Sequence, residues 1–271
     1  MVVLFHVIAM TLYLAAAGLQ LGSLVGARRA VPRGATVLLP LAAAAHAAGL
    51  GAYVERFGEL PLVGLGPSLS TLAFAITVIL FAISTLREAR PLGLLLLPLV
   101  SVLLGAALVP GIEPTGAAIS FRGPWFALHV LLAFLGYAGL AVSFAAGVMY
   151  LLQFRELKGK RFGRVFRFFP PLGTLDLLGR GGLVVGFPAL TLSLALGWAW
   201  TVRFQRTLAA TNPQVIWGVL TWLVFVAALA VRMRGVARDR RGAQAAVLGF
   251  LVVVLAYVVL RTMLAGGRFF L

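Results

Sequence analysis

The sequence LDLLGRGGLVVGFPALTLSLALGWAW spans residues 175–200, and it is followed by TVRFQRTLAA at 201–210 and TNPQVIWGVLTW at 211–222. Two apolar runs flank a short polar loop, and around that loop lie Trp198, Trp200, Trp217 and Trp222. An apolar run of about 20 residues is long enough to cross the hydrocarbon core of a bilayer as a helix. This stretch therefore predicts two neighbouring membrane helices that share a tryptophan-rich end.

The composition extends this prediction to the whole chain. Of the 271 residues, 62% are hydrophobic and only 11% are charged, which is more apolar surface than a soluble domain can bury. We expect one membrane domain over residues 1–271, with the lipid bilayer as a partner. The lysines and arginines that produce the net charge of +16 lie in short loops between apolar runs. Basic residues at such positions set the orientation of membrane helices, so nucleic acid is not expected to bind. The chain has no cysteine, so any thiol chemistry nearby belongs to a partner.

Apolar segments of spanning length can be marked along the whole chain. Backbone polar groups need partners inside lipid, and the segments lack the alternation of barrel strands, so they are predicted to be helices. The predicted fold class is an all-α integral membrane protein, a bundle of about eight transmembrane helices. The predicted spans are residues 2–26, 35–54, 68–86, 91–109, 125–153, 182–202, 214–233 and 243–263.

The basic residues predict the orientation of the bundle. One set of loops carries 17 of the 23 lysines and arginines, and the opposite set carries six, so the richer side is expected to be cytoplasmic and both termini outside. The longest inner loop is predicted from Phe154 to Gly181. Its RFGRVFRFFP run at 161–170 is interpreted as a segment along anionic headgroups, or else a docking site for a cytoplasmic partner. The GRGG at 179–182 is interpreted as a helix start.

The chain has three histidines, and an ionisable group inside a membrane points to function. His129 is expected near the outer surface, either as an axial ligand of haem iron or as a hydrogen-bond partner of a neighbouring helix. His46, near the middle of the second helix, has a helix–helix hydrogen bond and a ligand or proton role as open alternatives. No second histidine is expected at the same depth. His6 is interpreted as structural.

Aromatic and basic residues accompany His129. All five tryptophans, including Trp125, are predicted toward the outer surface, and Trp198, Trp200 and Trp217 are candidates for a flat platform on which a macrocycle stacks. The alternative is a one-sided interfacial belt. Arg203 and Arg206 are candidate contacts for haem propionates, as are Arg122 and Arg268 nearby, with ordinary headgroup contacts as the alternative.

Three spaced motifs carry a family resemblance. They are LHV…GYAGL…GVMYLL at 128–152, LD…R…GFPALT…GWAW at 175–200 and NPQVIWGVLTW at 212–222. In this order they resemble the cytochrome c assembly protein family, the CcsA-, HemX- and YpjD-like haem-handling membrane proteins. The resemblance implies a family core over residues 125–263 in a bacterial inner membrane. It also implies an outward-facing haem site that serves apocytochrome c together with other assembly proteins, with His129 at the position of an external haem-ligating histidine.

The chain departs from the family pattern in the loop between the two motif helices. A tryptophan-rich loop of the type WGxxWxWDP is expected there, but TVRFQRTLAATNP stands in its place. Ala230 and Arg268 occupy positions where further haem-ligating histidines are expected. The resemblance therefore favours the reduced HemX- or YpjD-like branch.

The predicted function is haem binding at the outer leaflet in support of cytochrome c maturation, with participation in a haem lyase or synthase system left open. The alternative is a haem-free scaffold that regulates a haem-pathway enzyme or a cytochrome assembly complex. A small-solute transporter is a third hypothesis, for which Pro188 within a spanning segment is the one hint.

Overall fold

A computed structural model of the chain describes residues 1–28, 30–114, 123–160, 162–204, 213–233 and 238–264. Within these ranges the chain forms helices and no strand. The α-helices are α1 (Val2–Val25), α2 (Arg33–Phe57), α3 (Leu65–Ile83), α4 (Gly93–Leu108), α5 (Pro124–Lys158), α6 (Arg164–Phe168), α7 (Leu172–Phe204), α8 (Pro213–Met233) and α9 (Arg238–Leu264), with a 3-10 helix at Arg87–Leu92.

Eight of the described helical segments are long and apolar enough to cross a membrane, and α4 reaches that length together with the 3-10 helix before it. This confirms the all-α membrane fold and the predicted number of spans. The short α6 is the one described α-helix that does not contribute to a span. The placement of both termini outside stays a prediction.

The predicted inner loop from Phe154 to Gly181 is wrong, because most of it is helical. The helix α5 continues to Lys158, and α7 begins at Leu172, so GRGG lies inside α7 and does not start it. Asp176 and Arg180 lower the local hydropathy, but Asp176 pairs with Arg232 of α8. Because Asp176 has an ion-pair partner on another helix, α7 continues beyond its apolar part.

The helices pack as two groups around α5. In the first, α1 packs on α2 and α4, and α3 packs on α4; in the second, α7 and α9 pack on α5, and α8 packs on α9. The contact between α3 and α5 joins the groups. Fully buried small and aliphatic residues of α5, among them Ala138, Ala141 and Ala145, belong to the main core.

Glycines bring α5 and α7 into backbone contact. A Cβ added to Gly182 would lie 2.4 Å from the carbonyl oxygen of Gly139, and one added to Gly139 would lie 2.5 Å from the carbonyl oxygen of Gly182. Gly136 and Gly186 repeat this contact about one turn away. The two backbones approach so closely at these positions that only glycine, which has no Cβ, fits between them.

The segment between α5 and α7 divides its aromatic residues between the bundle and the surface. The carboxylate of Glu156 accepts hydrogen bonds from the backbone N–H groups of Gly163 (3.1 Å) and Phe166 (2.9 Å), which caps the start of α6. Phe168 is buried in the core, whereas Phe162 is exposed. The turn is therefore anchored to the bundle by one ring and presents another outward.

Candidate functional site

The imidazole of His129 is held by α7. Its Nδ1 lies 2.7 Å from the carbonyl oxygen of Ser193 and 3.1 Å from the Ser193 Oγ, which itself donates to the carbonyl oxygen of His129 at 2.8 Å. A carbonyl oxygen only accepts, so the hydrogen bond assigns the proton to Nδ1. The neutral ring then has its lone pair on Nε2.

Gly197 provides the space for this ring. A Cβ at Gly197 would lie 2.6 Å from the His129 Cε1, so the half-buried imidazole rests directly on the backbone of α7. In the part of the chain that the structure describes, His129 Nε2 has no hydrogen-bond partner. An imidazole oriented through Nδ1, with an unshared Nε2 lone pair, has the arrangement of a metal ligand.

Aromatic rings lie beside His129 at the ends of α5 and α7. Phe126 precedes His129 by three residues, and Trp200 follows Gly197 by three, so each pair shares a helix face. The rings of Phe126 and Trp200 are 6.5 Å apart between centroids. Trp198, 62% exposed, points away from the bundle. Sequence reasoning overlooked Phe126, although its helical spacing from His129 was a usable signal.

The structure places Trp217 and Trp222 elsewhere. Trp217 donates through Nε1 to the carbonyl oxygen of Val253 at 3.1 Å, and its ring lies 4.5 Å from that of Tyr137. Tyr137 is about 12 Å further along α5 than His129, at 1.5 Å per residue. Trp222 donates to the Thr191 hydroxyl at 2.9 Å and so joins α8 to α7. The indoles that the sequence groups together therefore occupy separate places in the bundle.

The candidate cations are only partly described. Arg203 lies exposed on α7, three residues after Trp200 and on the same helix face. Arg206, like Arg122 and Arg268, lies outside the described residues. The role of Arg203 and Arg206 as propionate contacts stays a prediction.

A second polar site is buried among α1, α2 and α3. The Tyr13 hydroxyl lies 3.2 Å from His46 Nδ1, His46 Nε2 lies 3.0 Å from the Ser70 Oγ, and Ser70 Oγ lies 2.8 Å from His6 Nε2. His6 Nδ1 lies 2.7 Å from the carbonyl oxygen of Val2. Because that carbonyl only accepts, each proton can be assigned: His6 donates to Val2, Ser70 to His6, His46 to Ser70 and Tyr13 to His46.

These contacts change the view of His46. The expectation that it lacks a second histidine at its depth is wrong, because the ring of His6 lies 5.3 Å away. Both ring nitrogens of His46 are hydrogen bonded, which is the helix–helix alternative that the sequence left open. Its role toward a cofactor stays a prediction.

We expect Ser70→Ala to lower the free energy of unfolding by about 1–3 kcal/mol, because it leaves two buried imidazole nitrogens without partners. The measurement is reversible unfolding in mixed detergent micelles. Ser101→Ala is the matched control, since the buried Ser101 hydroxyl only donates to Leu97 within its own helix, at 2.9 Å. Equal losses in the two variants would contradict the assignment.

The described residues contain no group of three or more histidines, cysteines or acids that could hold a metal ion. A single imidazole suffices, in contrast, for a metal that arrives inside a macrocycle, since the ring supplies the equatorial ligands. Among the described candidates, His129 is the imidazole whose Nε2 is unbonded. The geometry therefore suits an axial ligand better than a metal centre built by the protein alone.

Comparison with known proteins confirms the family resemblance that the sequence motifs carry. The family described as Cytochrome C assembly protein matches residues 59–266, well over half of the chain. This chain belongs to the cytochrome c assembly protein family. The match begins after α2, so the family region contains His129 and Ser193 but neither His6 nor His46.

Relatives within the cytochrome c assembly family carry the name Cytochrome c biogenesis protein CcsA. The protein of Chlamydomonas reinhardtii is 28% identical over 214 residues, which are 75% of this chain and 59% of the relative. That of Microcystis aeruginosa is 25% identical over 260 residues, 78% and 79% of the two chains. That of Synechococcus elongatus is 27% identical over 277 residues, 85% of each. The chain thus spans under two thirds of the Chlamydomonas protein but most of the Microcystis and Synechococcus proteins.

Proposed function

We propose that this cytochrome c assembly protein binds haem at the outer surface of a bacterial inner membrane and holds or presents it to apocytochrome c. The observation that carries the proposal is the imidazole of His129, which is oriented through Nδ1 and has no hydrogen-bond partner at Nε2 among the described residues. The names of the relatives, which refer to cytochrome c biogenesis, support the pathway. The excess of basic residues on one side of the bundle and the cyanobacterial relatives support the location.

The residues around His129 fit the chemical needs of a porphyrin. His129 would be the axial ligand, the rings of Phe126 and Trp200 would contact the macrocycle, and Arg203 would pair with a propionate. Trp198, Trp217, Arg206 and His46 are proposed as further contacts on sequence grounds, with Trp217 and His46 already hydrogen bonded within the bundle. Haem, when bound, would supply the ring to which the cytochrome becomes joined.

The contribution of this chain would be positional. Ser193 holds the His129 ring in one tautomer and one orientation, and Gly197 lets that ring rest against α7. The thiols that react must belong to apocytochrome c, because this chain has no cysteine. Holding two reactants in a fixed geometry is sufficient to accelerate their reaction. Other cytochrome assembly proteins would bring the apocytochrome to the site.

A visible spectrum tests the proposal. We expect protein purified in detergent from haem-replete cells to show a Soret band, and His129→Gly to lose most of it. Millimolar imidazole is expected to restore the band in His129→Gly, because the free ligand can occupy the space of the missing side chain. Leu128→Gly, which places the same glycine at the neighbouring exposed position of α5, is the matched control, expected to keep the band. A band unchanged in His129→Gly would remove His129 as the ligand.

A haem-free scaffold that regulates a haem-pathway enzyme or a cytochrome assembly complex is the second candidate. It is favoured by the engagement of Trp217 and Trp222 in hydrogen bonds that join helices, which makes these indoles structural. This alternative predicts no Soret band in the unmodified protein under haem-replete expression.

A further inference from the structure

The cytoplasmic ends of α5 and α9 enclose a cleft of about 650 Å³, here called the basic cleft. Its walls carry the cations of Arg155, Lys158 and Arg240 and the amide of Gln244, and Leu151 and Phe154 contribute apolar surface. None of these residues was singled out by the sequence as a site. The cleft lies at the opposite end of α5 from His129, so it is separate from the proposed haem site.

The three cations of the basic cleft have no carboxylate partner among the described residues. Glu156, their neighbour in sequence, is turned toward the backbone of Gly163 and Phe166. Asp176 is occupied by Arg232 and Arg180. Like charges gathered in one cleft repel unless an anion joins them. The N-terminal end of α9, whose dipole is positive, adds to this potential.

The shape of the basic cleft favours a phosphate group. The guanidinium of Arg240 lies 5.3 Å from the centre of the Phe154 ring, a cation–π contact that restrains its orientation. A restrained guanidinium binds two phosphate oxygens at once, and Arg155 and Lys158 complete the charge from the other helix. Three positive groups that line one cleft are suited to the charge of a phosphate group.

An apolar stripe leads from the basic cleft into the bilayer. Leu248, 63% exposed, lies one turn beyond Gln244 on α9, and Leu251 and Leu255 continue the same face. More than half of each of these side chains is exposed, so acyl chains can lie against them. A ligand that satisfies both the cleft and the stripe must carry a phosphate and hydrocarbon chains together.

We propose that the basic cleft binds an anionic phospholipid of the inner leaflet. Its headgroup phosphate lies between Arg155, Lys158 and Arg240, and its acyl chains lie along Leu248, Leu251 and Leu255. This lipid joins the ends of α5 and α9 from the cytoplasmic side. Binding is independent of haem.

The experiment is a titration of the detergent-purified protein with phosphatidylglycerol. Native mass spectrometry measures the fraction of protein that has bound lipid at each concentration. The triple variant Arg155→Gln, Lys158→Gln, Arg240→Gln is expected to bind on the order of 100-fold more weakly, from about fivefold per cation near an anionic lipid. The matched control Lys160→Gln, Arg164→Gln, Arg167→Gln removes equal charge from exposed positions outside the cleft, and it is expected to keep its affinity.

Two further arms complete the titration. Gln244→Glu adds a negative charge to the cleft and keeps all three cations. This single substitution is expected to weaken phosphatidylglycerol binding by at least about fivefold. Phosphatidylcholine is expected to bind no more tightly to the unmodified protein than to the triple variant. Equal losses in the triple variant and its matched control would overturn the proposal, as would displacement of the lipid by millimolar inorganic phosphate, which would identify a site for soluble phosphate.

Discussion

Replacing Asp176 by alanine is expected to lower the free energy of unfolding by about 3–5 kcal/mol, because it leaves a buried guanidinium without its counter-charge. Arg232 is only 8% exposed, and its NH1 donates to the Asp176 Oδ1 at 2.5 Å. The buried Arg232 Nε has no hydrogen-bond partner among the described residues, so within them the Asp176 carboxylate is the group that compensates this charge. The measurement is reversible unfolding in mixed detergent micelles.

The packing around Arg232 explains why the charge cannot escape to water. A Cβ at Gly242 of α9 would lie 2.6 Å from the Arg232 Cγ, and one at Gly179 of α7 would lie 2.9 Å from NH2. The Arg232 side chain is therefore enclosed between α7 and α9, each of which has a glycine where it contacts Arg232. The ion pair joins the beginning of α7 to the end of α8.

Arg180 provides the matched control for this prediction. It also pairs with Asp176, at 3.0 Å, but its side chain is 46% exposed. Arg180→Ala is expected to cost no more than about 1 kcal/mol, as exposed ion pairs do. The double variant Asp176→Ala, Arg232→Met removes both charges and is expected to be more stable than Asp176→Ala alone. If Asp176→Ala and Arg180→Ala had equal effects, the buried pair would not be the stabilising one.

Gly182→Ala is expected to destabilise the bundle by at least about 3 kcal/mol, the upper range for overpacked cores, because the clash is with backbone. The added methyl carbon would lie 2.4 Å from the carbonyl oxygen of Gly139 and 3.1 Å from the backbone nitrogen of Ser143. Neither atom can turn away as a side chain does, so α5 and α7 must separate. The free energy of unfolding and the yield of folded protein measure this effect.

The neighbouring Gly181 is a close control, since a Cβ there meets no atom within 4 Å. Gly181→Ala is expected to leave stability unchanged or raise it by up to about 1 kcal/mol, from the better helix propensity of alanine. Separation of α5 and α7 should also loosen the hydrogen bond between His129 and Ser193. If the proposed haem site is correct, Gly182→Ala therefore also weakens the Soret band. Similar behaviour of Gly181→Ala and Gly182→Ala would exclude the close crossing.

The sequence was least informative at the end of α5 and at the start of α7. Hydropathy placed the start of α7 near residue 182, but the helix begins at Leu172. The charges of Asp176 and Arg180 end the apolar run, although both residues lie within α7. A charge opposite a partner on another helix is compatible with a membrane helix, and that partner, Arg232, lies 56 residues away in sequence.

By itself the sequence determined that this protein is an all-α membrane bundle with eight spans, and its ordered motifs indicated the family. Composition is enough for this, because lipid allows an apolar chain to satisfy its backbone only within helices. The tertiary structure decided which residues meet: His129 with Ser193, His46 with His6, and Trp217 with Tyr137 instead of the other indoles. These pairings depend on how each helix is rotated about its axis and where it crosses its neighbours. The rotation of each helix and its crossing angles are set by packing between segments that are distant in sequence, such as the glycine contact of α5 with α7. The hydrophobic periodicity within one segment does not predict them.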